Sequence, residues 1–356
     1  MEKVSNMKNP VLVLLVSFLM LAAHAQVTRI WSAKEANDWY QQQGWLVGSN
    51  FLPSTAINQF EMWQAETFDT ATINKELGWA QNIGMNVMRV YLHDLAWKAD
   101  AAGFKNRMNI FLSLANEHKI KILFTILDDC WNPDPVIGKQ PDPKPGIHNS
   151  GWVRSPGKQV HNDSTQWGYL EQYVKDILGT FKNDRRILMW DLYNEPGNSD
   201  YNLGSLPLLK KMFEWAWTIR PSQPLTSATW YDNKTFNDFQ LASSDVTTIH
   251  NYNDAENLEK ELKEKLLLGK PVICSEYMAR TRNSTFQTHL PVFKKYHVGA
   301  VNWGFVAGKS NTIYQWGKPV PDGSEPKVWF HDVFRKDGTP YSQEEISTIK
   351  SLTGKK

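Results

Sequence analysis

Short apolar or β-branched runs recur along the chain, each followed by a longer stretch whose apolar positions fall three and four residues apart. The runs are Trp45–Asn50, Asn86–His93, Ile120–Leu127, Ile187–Asn194, Pro224–Trp230, Val246–His250, Pro271–Glu276 and Gly299–Phe305. Their length and residue types predict strands, and the intervening periodicity predicts helices. Thr70–Ile83, Phe104–His118, Gln166–Phe181, Ala255–Leu268 and Thr285–Tyr296 are examples of those helices. Asp69 and Asp254 stand where N-caps belong, and Gly84 and Gly269 where helices should stop. A strict strand-then-helix alternation implies parallel strands joined by crossover helices. Eight such units close into a (β/α)8 barrel. An open doubly wound sheet would carry a glycine-rich phosphate loop after its first strand, and none is present.

Length agrees with one barrel. The chain has 356 residues, against ~250 for a barrel core plus loop insertions. No linker separates a second domain. Two connections are long and rich in Pro, Gly and Trp, at 128–165 after the third strand and 304–332 after the eighth. Both leave the C-terminal ends of strands, the face where barrel active sites sit, so they are expected to act as lids or walls.

The first 25 residues read differently. Lys3 and Lys8 precede an apolar run from Val11 to Ala23, and Ala23-His24-Ala25 supplies small residues for cleavage. The run is 13 residues long, short of the ~20 that span a bilayer. A cleavable export signal over 1–25 is therefore expected, leaving a barrel over 26–356 that is secreted or periplasmic and not inserted in a membrane. Its removal takes away Lys3, Lys8 and Glu2 and lowers the net charge from +2 to +1. Such a balance carries no basic surplus for nucleic acid. Cys130 and Cys274 are the only cysteines, and neither a disulfide framework nor a metal-binding spacing can be built from two.

The chemistry stands at strand ends. Ile187-Leu-Met-Trp-Asp-Leu-Tyr ends in Asn194-Glu195-Pro196, and Pro271-Val-Ile-Cys-Ser ends in Glu276. Each glutamate is the last residue of an apolar strand, and an ionised carboxylate there is costly unless something uses it. Two such groups are what glycoside hydrolysis needs, one to protonate the leaving oxygen and one to attack the anomeric carbon. Strands four and seven lie three places apart around the ring, so the two side chains converge across the mouth.

These motifs resemble the retaining glycoside hydrolases of clan A, most of all glycoside hydrolase family 5, the cellulase and β-mannanase group. Asn86-Val-Met-Arg89 is similar to that group's Asn-x-x-Arg, His250-Asn251-Tyr252 to its His-x-Tyr, and Trp303 to its sugar-stacking tryptophan. The resemblance implies Glu195 as acid/base and Glu276 as nucleophile. It also implies Arg89 and Tyr252 as partners of Glu276, Asn194 as a holder of the sugar 2-hydroxyl, and His250 as a substrate contact or a partner of Glu195. The third strand departs from the pattern, ending Asp128-Asp129-Cys130-Trp131 where relatives often place a His.

Sixteen tryptophans offer flat faces that bind sugar rings without reading charge. Trp63, Trp97, Trp131, Trp152, Trp230, Trp316 and Trp329, with Trp303, fall at or beyond strand C-terminal ends and are candidate platforms. His93, Asp94, Asp128 and Asp129 are candidate partners for hydroxyls. The expected activity is retaining hydrolysis of a neutral β-linked glucan, mannan or hemicellulose, with no cofactor or metal. Two other readings share the barrel. One is a metal-dependent sugar isomerase or hydrolase using Glu195, Glu276, Asp128 and His250 as ligands. The other is a non-catalytic carbohydrate-binding barrel.

Overall fold

The expected N-caps form. The Asp69 carboxylate accepts from the Thr72 amide at 3.0 Å and starts the helix Thr70–Asn82; Asp254 does the same for Ala255–Leu266 through Asn257 at 3.0 Å. Gly84 and Gly269 follow those helices at φ of 84° and 73°, a conformation that costs glycine little. The computed structural model describes residues 30–355; the expected export signal over 1–25 lies outside them.

Eight parallel strands appear where the apolar runs lie: β1 Val47–Asn50, β2 Val87–Tyr91, β3 Lys121–Asp128, β4 Ile187–Asn194, β5 Leu225–Thr226, β6 Thr247–His250, β7 Val272–Glu276 and β8 Gly299–Asn302. Sequence neighbours pair from β1 to β5 and from β6 to β8, and β1 also pairs with β8. The expected fifth strand over 224–230 is the exception, since only two of its residues join the ladder to β4. Beyond them, Thr229 bridges Ile249 in parallel, and the amide of His250 donates to the Thr229 carbonyl at 3.0 Å. That bridge closes the (β/α)8 barrel between β5 and β6.

Two hydrophobic layers result. Val87, Leu123, Met189, Ile273 and Val301 fill the lower barrel, plugged from below by Tyr40 and Leu46. A larger layer lies between strands and helices, with Phe124, Trp190, Leu208, Phe213 and Phe293 among its members. Residues two apart on a strand share a face. Arg89 therefore follows Val87, and Asp191 follows Met189, into the upper barrel, where the interior turns from apolar to polar. Among the described residues no helix is long and apolar enough to cross a membrane.

Candidate active site

Arg89 is wholly buried beneath the barrel mouth and organises what stands above it. One terminal nitrogen donates to Glu276 Oε1 at 2.6 Å and to Asn50 Oδ1 at 2.9 Å, and also contacts the Tyr91 hydroxyl. The other donates to Asp191 Oδ2 at 2.6 Å and to Asn194 Oδ1 at 2.7 Å. Glu276 is also held by two phenols: Tyr91 donates to its Oε1 at 2.8 Å and Tyr252 to its Oε2 at 2.7 Å. A carboxylate fed by one cation and two hydroxyls is fixed in place, with its charge balanced by charge-assisted hydrogen bonds.

Glu195 faces it from the end of β4. His250 Nδ1 lies 2.8 Å from Glu195 Oε1 and 3.5 Å from Glu276 Oε2. Asn198 Nδ2 donates to Glu195 Oε2 at 2.6 Å, and the Cys130 thiol lies 3.3 Å from the same oxygen. Burial pushes the Glu195 carboxyl up, but the hydrogen bond and charge of His250, with the Cys130 and Asn198 donors, hold it below the usual carboxylate range. Its backbone takes φ 43°, which costs a non-glycine residue roughly 1–3 kcal/mol. Asp129 secures the turn, accepting from the Gly197 amide at 2.8 Å, the Tyr193 hydroxyl at 2.6 Å and Ser205 Oγ at 2.5 Å.

Donor atoms of Glu195, His250 and Glu276 all fall within 4.8 Å of one another. Carboxyl pairs ~5–5.5 Å apart suit a double displacement and pairs ~6.5–9.5 Å apart leave room for an attacking water; this approach lies nearer the first. The same three groups form a metal-ligand set in outline, with Glu276 already paired to a permanent cation. Glu276 Oε1 sits against the Arg89 guanidinium and Oε2 takes the Tyr252 proton. Asp128, the fourth ligand of the metal reading, turns away, accepting from Trp152 Nε1 at 2.6 Å and Asn194 Nδ2 at 2.9 Å.

A cleft of ≈ 480 Å³ opens above the two glutamates, within the range of small-ligand sites. Trp131, Asn194, Trp230, His250, Tyr252 and Trp303 line it, as do Trp152, Trp316, Asn198 and Cys130. Asn194 spends one amide hydrogen on Asp128, and its nitrogen lies 3.5 Å from the Cys130 sulfur, a weak contact that leaves a donor for a sugar hydroxyl.

Several expected sugar contacts lie elsewhere. His93 and Asp94 are fully buried. His93 accepts the Leu95 amide as the cap of the helix Asp94–Ala99, its other nitrogen lies 3.0 Å from the Arg154 carbonyl, and its ring packs on Phe60. Asp94 accepts from Ser155 and Tyr169. Asp128 and Asp129 are buried supports of Asn194 and of the Glu195 turn, and Arg89 acts from below. Trp63, Trp97 and Trp329 do not reach the cleft either: Trp63 packs among Phe68, Phe104 and Phe111, Trp97 on Tyr173, and Trp329 on Tyr341. Cys130 and Cys274 are separate buried thiols. Asn50, Tyr91, Asp191 and Asn198 are partners that the sequence motifs do not single out, although Asn50 and Tyr91 end β1 and β2. Tyr91 and Asp191 carry one signal, since each stands two residues from a site residue's inward position or within an apolar strand.

Known proteins share this frame. Residues 148–314 match the family model of the glycosyl hydrolases family 2 TIM barrel domain. No curated protein matches the chain. Among solved structures, a GH5_18 protein from Streptomyces cattleya in complex with Manβ1-4GlcNAc superposes with a TM-score of 0.60 at 11% identity, over 87% of this chain and 80% of that one. The endo-β-1,4-mannanase from Thermotoga petrophila gives 0.58 at 15%, over 89% and 77%. A GH5_18 protein from Bifidobacterium longum, also with Manβ1-4GlcNAc, gives 0.59 at 14%, over 87% and 78%. The sequence-based match to part of the chain and the shared barrel agree with the strand-end motifs: the chain has the fold of the family 5 structures and is similar to glycoside hydrolase barrel domains.

Proposed function

Taking that relationship as the premise, we propose that the protein is a retaining β-glycosidase of neutral β-linked glycans, with Glu276 as nucleophile and Glu195 as acid/base. One observation carries the reading: the two carboxyl groups stand within 4.8 Å across the mouth, one neutralised by Arg89 and the other against His250. Glu276 attacks the anomeric carbon as the bond from that carbon to the glycosidic oxygen breaks. Glu195 gives its proton to the departing oxygen, leaving a glycosyl ester on Glu276. Water then attacks the same carbon, Glu195 takes its proton, and Glu276 is released.

Glu195 must hold a proton when the leaving group departs, and a sugar that expels water from around the carboxyl favours that neutral form. His250 Nδ1, 2.8 Å from Glu195 Oε1, fixes the carboxyl in position. Trp303 offers its face to the ring, and Asn194 donates to the 2-hydroxyl, a contact that strengthens as the oxocarbenium-like state forms. Besides the two glutamates, the charged lining residue is Arg282, whose guanidinium is already engaged by the Tyr252 carbonyl and Asn253 Oδ1. The Manβ1-4GlcNAc bound in the GH5_18 structures, and the mannanase among the structural matches, support a neutral mannan-, glucan- or hemicellulose-type substrate. We place this activity outside the cytoplasm, after removal of residues 1–25.

The test is a panel of β-1,4-linked glucan, mannan, xylan and galactan oligosaccharides given to the wild type and to Glu195→Ala. At least one should be cut by the wild type, with the variant at least 100-fold slower. No turnover of any member, or equal rates in the two proteins, would refute the proposal.

A further inference from the structure

The long connections after β3 and β8 meet along a seam. The Asn149 amide donates to the Ser310 carbonyl at 2.9 Å, Val320 to Gly146 at 3.0 Å, and Asn311 Nδ2 to the Lys144 carbonyl at 2.9 Å. Gly146 is required here, because a Cβ at that position would stand 1.7 Å from the Val320 carbonyl oxygen. The β8 connection also lies on the loop after β1, where the Lys309 amide donates to the Ser54 carbonyl at 3.1 Å. The loop after β1 is tied in turn to the β3 connection by Asn58 Nδ2 and the Gly151 carbonyl at 2.8 Å. The ends of β1 and β2 are roofed over, and none of the residues lining the cleft comes from the loops that follow them.

Along the seam stands a row of touching rings. Trp131 packs on His148 with centroids 5.6 Å apart, and Trp316 donates from Nε1 to His148 Nε2 at 3.1 Å. Trp316 meets Tyr252 edge-on at 4.8 Å, and Tyr252 reaches Glu276. His148 is locked from its other side, donating from Nδ1 to the Tyr314 carbonyl at 2.8 Å. Beneath the row, Trp152 and Trp303 touch each other at 5.6 Å and both touch Tyr91. The hollow behind Trp152 and Trp303, toward Asn50 and Leu52, measures ≈ 30 Å³, too small for a second sugar ring.

The opposite flank is different. Beyond Trp230 a second hollow of ≈ 340 Å³ shares Trp230, His250 and Asn253 with the cleft and is lined by Asn237, Asn257 and Lys260. Glu195 protonates the leaving oxygen, so the leaving group lies on its side, toward Asn198, Trp230 and this hollow. The glycone, whose anomeric carbon Glu276 attacks, faces the wall. The glycone carries the non-reducing end of a chain.

We infer that the wall Trp131–His148–Trp316–Tyr252 makes the glycone site blind, so the enzyme removes one sugar at a time from the non-reducing end while the rest of the chain runs out over Trp230. This rests on the glycosidase reading above and adds the direction and size of the cut.

The experiment uses the full chain and hexasaccharides of the four β-1,4-linked glycans, labelled at the reducing end. Each is prepared with a free terminal 4-hydroxyl and with that hydroxyl capped by a bulky ether. 4-Nitrophenyl β-glycosides of the same sugars report glycosidase activity independently. The expected result is free monosaccharide with the label on a pentamer at the earliest times, and a capped chain cut at least 100-fold more slowly. Labelled dimers and trimers at early times, or capped chains cut as fast as free ones, would overturn the inference. So would hydrolysis of aryl glycosides with no shortening of any chain. Silence on every substrate, aryl glycosides included, would instead bring down the glycosidase reading and this inference with it. Trp316→Ala removes the middle of the wall and should raise internal cutting of the capped chain at least 10-fold. A folded W316A protein that still cuts only at the end would overturn the role given to the wall.

Discussion

Arg89 and Glu276 form a buried ion pair, 2.6 Å from guanidinium nitrogen to carboxylate oxygen, 187 positions apart in sequence. The guanidinium spans more than that pair, since its second terminal nitrogen reaches Asp191 and Asn194. Lysine is a point charge on a flexible stem and cannot make this fork. Removing one partner of a buried pair costs ~3–5 kcal/mol because the other charge is left behind. Arg89→Lys should therefore lose about 2–4 kcal/mol in urea unfolding, with part of the charge kept, and at least 100-fold in kcat/KM. Wild-type stability would show that Arg89 is dispensable to the frame.

Asp129 has no path to the cleft, yet it accepts three hydrogen bonds around the turn that holds Glu195 at φ 43°. Asparagine offers one acceptor oxygen in place of two. Asp129→Asn should relax the turn, lowering kcat about 10-fold or more while leaving KM within about twofold, because a misplaced catalytic group costs rate before binding. Steady-state kinetics on an aryl glycoside check this. A rise in KM with kcat unchanged would place Asp129 in substrate binding instead.

What could be read from sequence, and what could not, follows the geometry. Glu195 and Glu276 end apolar strands, and a strand's last residue at a barrel mouth has only one place to point; Arg89 shares its strand face with Val87. Asp191 and Tyr91 matter because of what stands opposite them in the ring, which a linear pattern does not contain. Asp128 ends β3, and His93 and Asp94 follow β2 at the start of the next helix, but the loop carrying Arg154 and Ser155 folds over them and takes their hydrogen bonds. Tryptophan was the weakest guide. An indole serves equally as core packing or sugar platform, and only neighbours separate Trp63, buried among phenylalanines, from Trp303. Pro224–Trp230 has strand composition throughout, yet only Leu225–Thr226 ladders with β4, because Thr229 turns to close the ring on β6.

Glu195 protonates a leaving group, so its removal should matter in proportion to how much help that group needs. General acid assistance is worth about 100- to 10,000-fold. Glu195→Gln should lose that much on a natural oligosaccharide but far less in glycosylation with a 2,4-dinitrophenyl glycoside, whose phenolate leaves unaided. Pre-steady-state release of the phenol measures this step. Equal losses on both substrates would remove Glu195 from the acid role.

His148 is buried and pushed down to about 4 by loss of hydration, with its Tyr314 hydrogen bond only partly opposing. Between pH 6.5 and about 4 the unfolded chain therefore binds a proton that the folded chain does not, so stability falls as pH drops through that window. At pH 5 the contribution is roughly 2 kcal/mol. His148→Gln carries no such proton. Its Tm should be lower than wild type at pH 7.5, but the further drop from pH 7.5 to 5 should be smaller than in the wild type. An equal drop in both proteins would show that His148 is not the group responsible.

Glu276→Ala tests the centre of this account. The variant should be inactive alone, and azide should restore turnover of an activated aryl glycoside by entering the space of the missing carboxylate, giving a glycosyl azide of inverted, α configuration by proton NMR. Activity in Glu276→Ala without azide, or an azide product of β configuration, would contradict the double displacement on Glu276.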